Sequence, residues 1–207
     1  FSYKPLMEEK GIEFFLLDEV KGSVAAIPSA WNTGIEMVDS DIVAILNSDD
    51  FYSSRDTMLN VLTNFKKSAD YLIISGRINH SNSSTFEKSI INTREFLIKT
   101  IGHKALFPYL NPYNHPATFV SKKLYDKIGL YNVNYVVSSD YEFLYRAFSL
   151  GYKPIINDEV IVSMQPGGFA SKHKNIGRRE AYKIATSYTS FNILPGLAFI
   201  IRFILRR

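Results

Sequence analysis

Cysteine is absent from the 207 residues, which excludes disulfides and thiolate metal sites and fits a reducing compartment. No run of apolar residues has the ~20-residue length that a membrane-crossing helix needs. Neither sign of charge dominates: 24 basic and 20 acidic residues leave a net +4, far short of a dedicated nucleic-acid binder. Anionic small molecules and anionic membrane surfaces remain as partners. Internal repeats and low-complexity linkers are missing too, so nothing in the composition asks for a second domain. What is present, 46% hydrophobic and 21% charged residues, suffices for one sizeable core. The opening "FSYKPLMEEKGIEFFLLDE" reads as a helix end running into a strand, which predicts a piece of a longer protein.

The first half has α/β order. "GIEFFLLDE" (11–19), a helical stretch at 29–38 and "DIVAIL" (41–46) predict strand, crossover helix and strand. A helix at 54–69 follows, with Met58, Leu59, Leu62 and Phe65 expected on one buried face, then a strand at 71–76. The second half predicts a loop or hairpin at 79–89, a helix at 94–103, a strand at 117–121 and a short glycine-closed helix at 122–129. A helix at 138–151 comes next, with Ser138 or Ser139 as cap and Phe143, Ala147 and Leu150 on one face. Residues 153–165 read as extended chain with a turn at Asn157 and Asp158.

Ligands of open parallel sheets bind beyond the carboxyl ends of the strands, where "DIVAIL" runs into Asn47, Ser48, Asp49 and Asp50. Two adjacent carboxylates at one strand tip repel unless a proton or a cation stands between them, and a hard divalent ion suits that place. Aspartates capping the next helix are the plainer alternative. Asp140 opens the 138–151 helix, where the helix dipole favours its ionised form and where it can take a proton from a hydroxyl; simple capping explains its position equally. "QPGGFASKHKNIGRR" (165–179) is either a basic lid on a Gly167–Gly168 hinge or a solvated loop. Tyr109, Tyr113 and Tyr141 are candidates to stack on sugar faces or to pack.

These motifs, in their order, carry a resemblance. "AAIPSAWNTGIEMVDSDIVAILNSDDFY" (25–52), "NPYNHPATFVSKKLYDKIGLYN" (111–132) and "SSDYEFLYRAFSLG" (138–151) resemble the inverting glycosyltransferases of family 2. The resemblance implies a GT-A fold, a Rossmann-like mixed sheet flanked by helices, here lacking its first nucleotide-holding strands. It covers residues 12–180. It implies that Asn32, Asn47, Ser48, Asp49 and His115 bind the donor, with Asn47 in place of the first aspartate of a D-x-D segment. It further implies that Asp49 and Asp50 hold Mg²⁺ or Mn²⁺ against the donor diphosphate, and that Asp140 is the general base. For His115, a hydrogen-bonded structural histidine stays open. Trp31 stands where many relatives have arginine, and Ala26 where many have glycine.

The function so implied is transfer of a sugar, with inversion, from a UDP- or GDP-sugar to a saccharide or lipid-linked acceptor in surface polysaccharide synthesis. A non-catalytic remnant binding a membrane or partner protein, and a metal-dependent phosphohydrolase, are the alternatives. Residues 1–190 form the expected transferase domain. Residues 191–207, "FNILPGLAFIIRFILRR", read as an amphipathic tail lying on an anionic membrane, as a helix docked on the domain, or as the start of a longer apolar segment. The first of these puts the enzyme in the cytoplasm, peripheral on the inner face of the membrane.

Overall fold

The computed structural model describes residues 4–11, 26–47, 50–66, 73–80, 100, 102–107, 111–164, 168–189 and 196. The expected strand at 12–19, most of the 94–103 helix, Ser48, Asp49, Tyr109 and nearly all of the tail lie outside them. In chain order the elements are α1 (Lys4–Glu9), α2 (Ala26–Met37), β1 (Ile42–Ala44), β2 (Phe51–Tyr52), α3 (Thr57–Lys66), β3 (Ile73–His80) and α4 (His103–Leu106). A 3₁₀ turn (His115–Ala117) follows, then β4 (Thr118–Ser121), α5 (Lys122–Ile128), α6 (Ser139–Ser149), β5 (Ile155–Met164), α7 (Phe169–Lys172) and α8 (Lys174–Tyr188).

Among the described residues five strands form one mixed sheet in the order β1-β4-β3-β5-β2, with β3 and β5 parallel and the other pairs antiparallel. Successive residues of a strand point to opposite faces. Ile73 and Val120 accordingly enter a core shared with Ile35, Leu124, Tyr125, Phe143, Leu144 and Ile184, while their neighbours Ile74 and Phe119 enter a second one with Val61 and Ile161. One face is thus covered by α2, α5, α6 and α8, the other by α3. Burial on both faces explains why these strands read as continuous apolar runs.

α5 ends as expected, with Gly129 at φ +88° donating its N–H to Tyr125 O at 2.8 Å. Three local expectations are corrected. On α3 the buried stripe is Thr57, Val61 and the half-buried Phe65, whereas Met58, Leu59 and Leu62 are exposed, Leu59 to 63%. On α6, Phe143 and Ala147 are buried but Leu150 is 60% exposed, because it lies past the last helical residue. The turn at Asn157 does not end β5; the strand bulges there, Ser75 facing Ile156 and Arg77 facing Val160, with Asn157 Oδ1 accepting Glu159 N–H at 2.9 Å.

Candidate functional site

The topology gathers the polar motifs on one edge of the sheet. Ala44 faces Phe119, so the start of β4, and His115 just before it, lies beside the end of β1. Phe51 faces Ser163, which brings Asp50 and the start of β2 to the carboxyl end of β5. That is the edge at which open α/β sheets bind ligands.

Asn47 and Asp50 close the turn between β1 and β2. The Asp50 N–H donates to Asn47 O at 3.1 Å, and Asn47 Nδ2 donates to Asp50 Oδ2 at 2.9 Å. Asp50 is only 8% exposed. The neighbouring Phe51 is 52% exposed. Among the described residues no group of three or more His, Asp or Glu side chains gathers as a complete metal cage. Among the described residues Asp50 is the carboxylate of this turn, and Mg²⁺ is commonly held by one or two carboxylates while phosphates and waters fill the remaining positions.

Asp140 lies in the first turn of α6, half-buried. Its Oδ2 accepts from Asn111 Nδ2 at 3.1 Å, and Asn111 Oδ1 in turn accepts the Tyr113 N–H at 3.1 Å. Asn111 thereby fixes the carboxylate against the chain leading to His115. The 3₁₀ turn carrying His115 is itself pinned: Thr118 Oγ1 donates to Asn114 O at 2.7 Å and lies 3.1 Å from Ser75 Oγ on β3.

The His115 ring stacks on Trp31, with centroids 4.4 Å apart, and meets Tyr131 edge-on at 5.7 Å. Its Nε2 lies 3.1 Å from the Tyr131 hydroxyl, which lies 2.9 Å from the hydroxyl of Tyr125. Burial draws the imidazole below its ordinary value, and the charge of Asp140 pulls the other way. The same burial pushes both phenols up, so neither ionises near neutrality. His115, Tyr131 and Tyr125 thus form one hydrogen-bonded line through Nε2 and the two hydroxyls. The line ends in the core.

Asn32 turns its amide to the backbone of Tyr131. Its Nδ2 donates to Tyr131 O at 2.8 Å and its Oδ1 accepts the Tyr131 N–H at 2.9 Å. Tyr113 and Tyr141 are buried, the hydroxyl of Tyr141 bonding to Phe107 O, so both pack rather than present a sugar platform. The sequence reading missed Asn111 and Tyr131, whose roles depend on partners brought in by the fold. A polar residue just ahead of the "NHP" segment was the one local signal for Asn111.

The sequence profile of glycosyl transferase family 2 matches residues 11–129, more than half of the chain. The chain belongs to that family. Among solved structures it is similar to S. aureus TarS, residues 1–349, with a TM-score of 0.58 and 8% identity over 96% of this chain and 56% of that one. At this identity the likeness speaks for the fold, which is GT-A as expected. The family 2 chain thus spans little more than half of that structure's length. None of the curated proteins matches it.

Proposed function

We propose that the chain transfers a sugar from a UDP- or GDP-sugar to a saccharide or lipid-linked acceptor, inverting the anomeric centre, with Asp140 as general base. The observation that carries this reading is the placement of Asp140: a helix-start carboxylate, half-buried, held through one oxygen by Asn111 and facing the same constellation as His115. The acceptor hydroxyl gives its proton to Asp140 as its oxygen bonds to the anomeric carbon. The bond from that carbon to the diphosphate oxygen breaks, and its electron pair leaves with the nucleoside diphosphate. One displacement from the face opposite the leaving group inverts the configuration.

Asp49 and Asp50 would hold Mg²⁺ or Mn²⁺, with Asn47 and Ser48 completing the donor-side turn. The ion would offset the charge that grows on the departing diphosphate. Asn32 contributes by fixing Tyr131, and through it His115. The acceptor would belong to a surface polysaccharide, and contact with the inner face of the membrane is supported by the tail, whose apolar run carries only Arg202, Arg206 and Arg207 as charges. Among the described residues no helix is long and apolar enough to cross a membrane.

The test uses the full-length protein with UDP-glucose, UDP-N-acetylglucosamine and GDP-mannose. Asp140→Asn should leave nucleotide binding intact while transfer falls by about 10² or more, and binding of UDP or GDP should require Mn²⁺. Equal nucleotide binding in EDTA would remove the metal from the reading. Unaltered turnover of Asp140→Asn would remove the base.

A further inference from the structure

We propose that Glu180, on α8, is the positioning residue that sets the direction of Asp140. Its carboxylate accepts three consecutive backbone N–H groups just ahead of α6: Val136 at 2.7 Å on Oε1, and Val137 and Ser138 at 2.9 Å on Oε2. Successive amides turned to one point form a concave anion site, and such charge-assisted bonds are about twice as strong as neutral ones. Here the anion is a side chain of the protein itself. Asp140 follows two residues after the last of these amides, so the carboxylate of Glu180 fixes the direction in which the first turn of α6 leaves the loop.

The neighbouring contacts fit this role. Ser138 stands at the helix cap, yet its hydroxyl makes no capping bond and donates instead to Gly177 O on α8 at 3.2 Å. Glu180 thus holds the amides that lead into the helix, not the first-turn amides that a capping side chain would take. Gly177 is needed for the approach, since a Cβ there would lie 2.9 Å from Val137 Cγ1. One turn into α6, Glu142 Oε1 accepts from the Tyr188 hydroxyl at 2.7 Å. α8 grips α6 on both sides of Asp140.

The inference rests on the reading of Asp140 as the base, but its test does not require turnover. The His115 imidazole senses the Asp140 charge, so its NMR titration reports where that carboxylate stands. The His115 signal is assigned with His115→Gln and followed in wild type, Asp140→Asn, Glu180→Asp, Glu180→Gln and the Asp140→Asn/Glu180→Asp double variant. Glu180→Asp keeps the charge but withdraws it by one methylene, and it serves should the Gln variant unfold. The charge of Asp140 raises the His115 value, so Asp140→Asn should lower the midpoint and Glu180→Asp should lower it by a smaller, resolvable amount. With Asp140 already gone, Glu180→Asp should add no further shift. A midpoint unmoved by Glu180→Asp, or an equal fall with and without Asp140, would overturn the proposal. Failure of the base reading shows separately, as unaltered turnover of Asp140→Asn.

Discussion

Asn32 and Tyr131, 99 residues apart, exchange two hydrogen bonds of 2.8 and 2.9 Å, the asparagine amide pairing with the tyrosine backbone much as a neighbouring strand would. α2 is thereby tied to the loop after α5, and Tyr131 is held where its hydroxyl meets His115.

Asn32→Ala leaves a half-buried N–H and C=O of Tyr131 without this partner, and should cost about 1–3 kcal/mol. Asn32→Asp keeps the acceptor for the N–H but places a carboxylate oxygen against Tyr131 O, so it should do no better than alanine. Urea unfolding measures both. An aspartate variant as stable as wild type would mean that the reciprocal pairing is unimportant.

The elements legible in the sequence are those whose signals are local. Gly129 closes α5 because only the left-handed backbone ends the helix there, and the alternation at Ile73–Ile74 and Phe119–Val120 marks strands buried on both faces. On α3 two adjacent stripes were both apolar, and periodicity alone does not say which one meets the sheet; Val61 faces it and Leu59 does not. Asp140 was legible because it opens a well-marked helix. Glu180 was not, because the amides it receives lie 42 to 44 residues away and nothing in "GRREAY" announces them.

Acidification should destabilise the fold through His115. Burial lowers its folded value below the ordinary 6.5, with Asp140 opposing, so the unfolded chain takes up a proton at higher pH than the folded one. The stability it contributes is complete above about 6.5 and is lost as the pH falls from there toward the folded value. Thermal melts between about pH 7.5 and 5.5 should show a decline that His115→Gln makes shallower. An identical slope in the variant would assign the decline to other groups.

Vesicle sedimentation tests the tail. Each arginine near an anionic leaflet adds roughly 1 kcal/mol, a contribution that salt weakens while leaving the apolar one intact. Removing residues 191–207 should abolish binding to vesicles containing phosphatidylglycerol. Binding that persists without the tail, or that shows no preference for anionic lipid, would refute a membrane role for these residues.

Arg146 should matter for geometry more than for charge. Its guanidinium donates through Nη1 to Ile128 O at 2.8 Å and through Nη2 to Leu130 O at 2.6 Å, and its Nε lies 3.4 Å from Glu142 Oε1. One planar fork thus joins the end of α5, the residue before Tyr131, and the helix that bears Asp140. Lysine carries the same charge but offers a single nitrogen, which cannot reach both carbonyls and the carboxylate in that fixed arrangement. Arg146→Lys should therefore lose about 1–3 kcal/mol by urea unfolding, close to the loss from Arg146→Met. Because Leu130 precedes Tyr131 directly, the lysine variant should also loosen the Tyr131–His115 contact, visible as faster hydrogen exchange at the Tyr131 amide than at amides in the middle of α6. If lysine restores wild-type stability while methionine does not, the fork is dispensable and the charge beside Glu142 is what the fold requires.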